Sequence, residues 1–375
     1  MATTVPRFSW FLPSTGDAVN PGAAPPPGTV QSVEKLQGRR EPTLDYLTSV
    51  AQAAEDGGFS GLLTPVGLGC QDPWVLTSAI ASRTRRIGFI VAFRPSLSSP
   101  TLVAQQADTF RKLFGERLLL NVVTGGDPTE QAAFGAATEH EHRYAVTDEA
   151  LQVIRPLLRG ERVSVDGAHV KVVDAALVRP RTDSPVPIFF GGASSTAVRV
   201  AARHADTYLM WGEPPEAIAE RLAILRAAAS QSGRSVRAGL RIHVLTRDTS
   251  RAAWAEAERL QRGFDPETVA QVAAKKARMD SVGESRMTDL HDFRHDTTVE
   301  DLVVAPNLWA GIGLVRDGAG TAIVGNHDEV ADRLLEYADL GIDEFILSGY
   351  PHREEAARVG REVLPRVLRR AARAS

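Results

Sequence analysis

A chain of 375 residues, 43% of them hydrophobic, is long enough for one large barrel or two average domains and can bury a sizeable core. With 43 Lys+Arg against 46 Asp+Glu, the net charge of −3 leaves no basic footprint for nucleic acid, and no apolar run approaches the about 18 residues of a membrane span. The lone cysteine, Cys70, excludes an intramolecular disulfide, and the start MATTVPRFSW shows no basic segment leading into an apolar one, so a reducing cytoplasm is the expected compartment.

In chain order, β-rich apolar runs fall at 8–13, 59–65, 87–94, 118–124, 186–191, 207–211, 240–245 and 345–348. Helical stretches lie between them at 44–58, 101–115, 195–205, 215–233 and 326–341. The stretches at 215–233 and 326–341 space their apolar residues at i, i+3, i+4 and close on Gly, a helix stop. Eight strands alternating with helices predict a parallel sheet of the α/β class. At this length the expectation is a single-domain (β/α)8 TIM barrel spanning 1–375. A doubly wound open sheet is the alternative, although no G-x-G-x-x-G follows the first strand.

Three insertions interrupt the alternation. Residues 14–42 are rich in Pro and Gly and read as a long loop. Residues 161–180 read as a hairpin around Asp166-Gly167. Residues 262–305 hold a polar helix followed by a stretch too polar for core and too long for an ordinary connection, which reads equally as a mobile lid or as plain disorder.

In a barrel, function sits at the C-terminal strand ends. Those ends carry Cys70 after the second strand, Arg94 after the third, and Asn121 and Thr124 at the fourth. Trp211 ends the sixth, Arg241 and His243 lie in the seventh, and Tyr350 and His352 follow the eighth. Gly192, Ala193, Ser194 and Ser195 open a helix, either as a phosphate cradle or as an ordinary N-cap. Arg241 and His243 alternate with apolar neighbours and so face the barrel axis, where a buried arginine requires an anion or a structural carboxylate. Arg316 sits in a Gly-rich stretch suited to a mobile loop, with a surface ion pair as the bland alternative. Cys70 is a nucleophile or a small buried hydrophobe. Trp211 stacks on a planar cofactor or plugs the barrel. The nine histidines show no metal-ligand spacing. These residues predict an arginine-rich mouth and an anionic substrate, but no reaction type.

The blocks FLPSTGD, GCQDPW, RPSLSSPT, NVVTGGDP, HRY, FFGGASS, WGEPPE, RIHV, RMDSVGESRM, APNLWAGIGLVRDGAGTAIVG and LSGYPHREEA carry a resemblance from about Phe8 to Leu364. The chain resembles the bacterial-luciferase-like flavin monooxygenases and, within them, the two-component alkanesulfonate monooxygenases. The resemblance implies reduced FMN (FMNH2) as cofactor, delivered by a separate NAD(P)H-dependent flavin reductase, and O2 as co-substrate. It implies cleavage of the C–S bond of a small organosulfonate to sulfite and an aldehyde, with no metal. The implied catalytic residues are Cys70, Trp211, Arg241, His243, Arg316, Tyr350 and His352. Asn121, Thr124, Tyr144, Gly192, Ala193, Ser194 and Ser195 are implied around the cofactor, and a homo-oligomer, dimer or tetramer, is expected. Two departures bear on the substrate: Thr15 stands where the family carries histidine, and the insertion at 21–42 is longer. Relatives of this architecture act on sulfoquinovose, methanesulfonate or dimethyl sulfone. A deazaflavin-dependent dehydrogenase is a more distant likeness. Non-catalytic flavin-binding barrels also occur among them, but the intact Arg241, His243, Arg316 and Tyr350 argue against that reading.

Overall fold

The computed structural model describes residues 5–21, 39–136, 139–291 and 297–374. Eight parallel strands close into a barrel: β1 (Arg7–Phe11), β2 (Gly61–Thr64), β3 (Gly88–Phe93), β4 (Leu118–Val122), β5 (Ile188–Gly191), β6 (Thr207–Trp211), β7 (Arg237–Arg247) and β8 (Glu344–Ser348). Each pairs with its neighbours in sequence. The ring closes where β1 meets β8, Phe8 opposite Phe345, with β7 pairing both β6 and β8. All eight strand expectations hold, so the (β/α)8 TIM barrel expected from the alternation is the observed fold.

The reason lies in the two-residue period of the strands. Leu63, Ile90, Phe189, Leu209 and Ile346 point inward and fill the barrel interior. Their strand neighbours, such as Leu62, Phe89, Phe190, Tyr208 and Phe345, point outward under the helices. Fully burying a side chain of this size contributes roughly 1.5–3 kcal/mol, so a one-residue slip in register would expose both layers at once.

The outer ring consists of α1 (Leu44–Asp56), α2 (Pro73–Ala81), α3 (Pro100–Phe114), α4 (His140–Leu158), α5 (Ser195–His204), α6 (Pro215–Gln231), α7 (His327–Leu340) and α8 (His352–Glu362). Local sequence starts several of them. Thr43, Asp72, Ser194 and Asn326 accept backbone N–H groups as N-caps, and Asn326 with Glu329 forms a capping box. Among the described residues no helix is long and apolar enough to cross a membrane.

The insertions differ in how far the sequence anticipated them. The hairpin at 161–180 is present as strands Val163–Asp166 and Lys171–Ala175, held against α4 where the Glu149 carboxylate accepts the N–H groups of Ala168, His169 and Val170. The base of the 14–42 loop is a short antiparallel pair, Asp17–Ala18 with Arg39–Arg40. Its Gln31, Glu34, Lys35 and Gln37 lie outside the described residues. In the 262–305 segment the helix Pro266–Lys276 is joined by a second one, Val282–Thr288, which the sequence reading had as irregular. The Gly-rich stretch around Arg316 also departs from expectation. Ala322–Asn326 is a strand that pairs with the outer half of β7, His243 opposite Ala322. Thr321 is buried and donates to the Gly212 carbonyl at 2.8 Å. The glycines here permit close backbone packing, Gly313 N–H on Gly320 O at 2.9 Å, rather than a free flap.

The ring also closes tightly between α1 and α8. A Cβ on Gly360 would lie 2.5 Å from the Gly57 Cα and 2.6 Å from its carbonyl oxygen. Because both partners are backbone, neither can rotate away. Gly360→Ala should therefore lower the unfolding free energy by about 1–3 kcal/mol, read from urea denaturation. An unchanged midpoint would mean that the two helices separate at no cost.

Candidate active site

A cavity of about 380 Å³ opens at the C-terminal mouth of the barrel, within the range of small-molecule sites. Phe11, Leu63, Ala92, Leu209, Val123 and Val315 supply its apolar wall.

Its most demanding feature is two arginines. Arg241 is 8% exposed, and its guanidinium lies 4.6 Å from the Phe11 ring centroid and donates to the Ile242 carbonyl at 3.2 Å. No carboxylate comes within ion-pair distance of it among the described residues, so the structural ion pair offered by the sequence is not there. Burial, with repulsion from Arg316, pushes its pKa down to about 9, which leaves it charged at neutral pH. Arg316 lines the same cavity and donates from Nη1 to the Tyr350 hydroxyl at 2.6 Å. The neighbouring carboxylate, Asp317, is taken by Lys275 at 2.5 Å. Arg241 is buried and Arg316 half-buried, and a buried cation without a counter-charge is costly, so the electrostatics of this end of the cavity favour an anion.

The residues behind the arginines hold them still. His243 Nε2 lies 3.0 Å from the Ala319 carbonyl and Nδ1 lies 2.7 Å from the Ser348 hydroxyl. The carbonyl can only accept, so these partners assign the proton to Nε2. Burial, then Arg241 and Arg316, push the imidazole well below its ordinary pKa. With both nitrogens engaged, His243 fixes geometry. Its ring stacks on Tyr350 at 5.6 Å. Burial raises the Tyr350 phenol against the opposing pull of Arg316 and Arg241, so it stays protonated. Neither Tyr350 nor His352 lines the cavity: Tyr350 lies behind Arg316 and reaches the site through that bond, while His352 Nδ1 lies 3.1 Å from the Phe11 carbonyl and its ring is fully buried, edge-on to Tyr350 at 5.2 Å.

Cys70 lines the cavity, but burial raises its thiol pKa, the opposite of what a thiolate nucleophile requires. Trp211 lines the wall and does not plug the barrel, whose interior is filled by the five aliphatic and aromatic residues named above.

The opposite end is rich in hydroxyls. The Tyr144 hydroxyl interacts with the side chains of Thr124 and Ser194. Gly192 adopts φ +148°, and a Cβ there would lie 2.8 Å from the Tyr144 hydroxyl and 2.7 Å from the Ala197 Cβ. Asn121, Thr124, Tyr144, Gly192, Ala193 and Ser194 all line the cavity. Ser194 Oγ accepts from the Ala197 N–H at 3.1 Å, so it is also an ordinary N-cap, while Ser195 is exposed and off the wall. The Oδ1 of Asn121 is buried without a hydrogen-bond partner.

The 262–305 segment forms the roof. Asp280 accepts from Nη2 of the buried Arg143 at 2.7 and 2.8 Å, and its N–H donates to the Gly126 carbonyl at 3.0 Å. A Cβ on Gly283 would sit 3.1 Å from the Trp211 ring. Arg286 pairs with the buried Glu213, and Glu284 accepts the Gly318 N–H at 2.9 Å and pairs with Lys276 at 3.0 Å. Sequence reasoning missed these residues. It also missed Phe11 and, although Arg94 was in view at a strand end, its pairing with Glu130 at the wall. For Glu284 and Lys276 the only signal was the polarity of the segment, which reads as solvent exposure until a partner is in view.

The family model described as luciferase-like monooxygenase matches residues 7–344. Among solved structures, EDTA monooxygenase (EmoA) from Chelativorans sp. BNC1 shares the fold with a TM-score of 0.75 at 21% identity, covering 97% of this chain and 94% of that one. Long-chain alkane monooxygenase (LadA) gives 0.76 at 21%, covering 98% and 92%. DmoA from Hyphomicrobium sulfonivorans gives 0.76 at 21%, covering 98% and 88%. At such identity these are likenesses of fold.

The buried neutral imidazole at 352 has a pH signature. Burial, then Arg316 and Arg241, hold its folded pKa well below 6.5, while the Phe11 carbonyl opposes them. Below pH 6.5 the unfolded chain takes up a proton that the folded chain refuses, so this contribution is complete above 6.5 and is lost as the pH falls. In His352→Asn the term is absent. The stability gap between wild type and variant should narrow on acidification from about pH 7, by at most about 1.4 kcal/mol per pH unit, measured by urea unfolding at each pH. A gap that widens would mean the folded state charges this histidine.

Proposed function

The chain belongs to the luciferase-like monooxygenase family, and we propose that it is a two-component, FMN-dependent monooxygenase that cleaves the C–S bond of an organosulfonate to sulfite and an aldehyde. The observation that carries this reading is the pair of cavity-facing guanidiniums, Arg241 and Arg316, that have no carboxylate ion pair among the described residues. A sulfonate is anionic at every physiological pH and calls for permanent cations, and the planar fork of arginine matches two of its oxygens.

The opposite end fits the cofactor. Tyr144, Thr124 and Ser194 would hold the FMN phosphate beside the N-terminus of α5. Gly192, where a Cβ would strike Tyr144, leaves the backbone open to the ligand, and Asn121 has an acceptor to offer the ring. Reduced flavin, when bound, supplies the two electrons with which one atom of O2 enters the substrate and the other leaves as water. Because no G-x-G-x-x-G follows the first strand, the reduced flavin is expected from a separate NAD(P)H-dependent reductase.

The other residues serve this geometry. Tyr350 accepts from Arg316 and keeps its own O–H proton, a donor beside the sulfonate site. His243, held neutral, orients Tyr350 and the 319 backbone. The roof excludes water, which strengthens every charge interaction beneath it. The apolar wall suits an alkyl tail, so an alkanesulfonate is favoured. Thr15, also on the wall, supports a polar substrate such as sulfoquinovose as the second reading.

With a flavin reductase, NADH, FMN and O2 supplied, the protein should release sulfite from a sulfonate. NADH oxidation by this chain alone would overturn the two-component reading, and flavin binding without turnover across a sulfonate panel would leave only a flavin-binding barrel. Arg316→Ala should keep the fold and lose about 1.5–3 kcal/mol of anion binding, with sulfite release falling at least in proportion. Octanesulfonate and sulfoquinovose in direct competition should differ in kcat/KM by a large factor, since an unmatched polar partner can cost about 10⁴. The alkyl substrate is expected to win.

A further inference from the structure

The β1–α1 loop buries a carboxylate that the site described above does not use. Asp17 is fully buried, and among the described residues it has no ion-pair partner: the nearest arginine, Arg40, is bound to Glu354 at 2.7 Å. All the bonds Asp17 makes are hydrogen bonds. Oδ1 accepts the Ala18 N–H at 2.8 Å. Oδ2 accepts the Tyr46 hydroxyl and, at 2.7 Å, the backbone N–H of His352.

That last bond has a specific meaning. His352 is the first residue of α8, and the residue at the N-cap is Pro351, whose side chain makes no capping bond. Proline offers no side-chain acceptor, so this helix cannot cap itself. Asp17 supplies the missing acceptor from 335 positions away, and its charge suits the positive end of the helix. The imidazole of the same residue is tied to the Phe11 carbonyl at the end of β1 at 3.1 Å. The start of α8 is thus pinned to β1 and its loop by main chain and side chain together.

Tyr350 lies two residues before that pin. On its other side, β8 ends at Ser348, which is registered against His243. The phenol is therefore carried by a three-residue span fixed at both ends, and its hydroxyl bears Arg316 at 2.6 Å.

We propose that Asp17 is a positioning residue: by capping α8 in place of Pro351 it sets the turn that carries Tyr350, and through that hydroxyl it sets Arg316 in the anion site. This rests on the reading of Arg316 and Tyr350 as members of the active site. The charged and titratable groups around the phenol are Arg316, Arg241 and His243 on the barrel side and His352 and Asp17 on the α8 side. The negative charge of Asp17 favours the protonated phenol, in keeping with its place in the device.

The test is a double-mutant cycle between Asp17→Ala and Tyr350→Phe. It is read as kcat for sulfite release and, separately, as affinity for inorganic sulfate by calorimetry on the protein without turnover. Asp17→Ala should lower kcat about tenfold or more, since small misplacements of a site group cost that much. It should weaken sulfate binding in parallel and leave FMN affinity unchanged. Asp17→Asn, which keeps a capping acceptor, should recover most of the loss. In the Tyr350→Phe background, Asp17→Ala should cost little more, because its effect passes through that hydroxyl. Additive losses in the cycle, or wild-type sulfate affinity in Asp17→Ala, would overturn the proposal and leave Asp17 a structural cap. Should Asp17→Ala fail to fold, Tyr46→Phe, which removes one donor from the carboxylate, must show the same non-additivity at smaller amplitude or the proposal falls. A wild type that releases no sulfite from any sulfonate would sink the assigned reaction while the sulfate cycle still decides the positioning. A wild type that binds no sulfate either would sink both.

Discussion

Two guanidiniums at the mouth of a closed barrel, Arg241 buried and Arg316 half-buried, neither in an ion pair with a carboxylate among the described residues, are the constraint around which the rest of this molecule is arranged. Arg241 is placed by the inward phase of β7, and Arg316 by a loop tied down through Thr321, Gly318 and Gly313. Among the described residues neither forms an ion pair with a carboxylate, yet carboxylates are close by. Asp317 is bound to Lys275, Glu130 to Arg94 and Glu213 to Arg221 and Arg286. The acids of the mouth are engaged elsewhere, and the two guanidiniums are left facing the cavity. Buried charge such as that of Arg241 is costly unless an anion pairs with it.

The same economy explains the roof. Helices made largely of polar residues are poor core material, but here polarity is the means of attachment. Asp280, Glu284, Arg286, Lys275 and Lys276 each find a partner on the barrel loops or on one another. Such a cover is held by charge pairs and a few tight contacts, Gly283 on Trp211 among them. It covers the cavity mouth without a large apolar interface, as the lid expected from the sequence would.

At the other end of the cavity the determinant is the absence of a side chain. Gly192 at φ +148° leaves room that a Cβ would fill against Tyr144 and Ala197. The hydroxyls of Tyr144, Thr124 and Ser194 gather around that gap. One cavity therefore holds a cationic end and a hydroxyl-lined end, with an apolar wall between them from Phe11 to Leu209. The proposed anionic substrate and phosphate-bearing cofactor would therefore draw on different groups.

Periodicity determined by itself much of what the chain is. Alternation of strand and helix names the barrel, and the two-residue phase of β7 points Arg241 and His243 inward before any coordinate is known. A strand end is legible because it follows directly from where the apolar run stops. That is why Cys70, Asn121, Thr124, Trp211 and Tyr350 were in view from the sequence. Tertiary structure alone decided the pairings. His352 is two residues from Tyr350, yet it turns to Phe11 and leaves the site, because α8 starts there and its first residue faces β1. The Gly-rich segment at 311–325 is packed and partly a strand, since its glycines serve close backbone contact, which composition cannot tell from looseness. Glu284, Arg94 and Asp17 owe their meaning to partners 8 to 335 positions away. Side-chain direction is a local property of a strand and is carried by the sequence, whereas the identity of a charge's partner is a property of the closed barrel and exists only once the ring has formed.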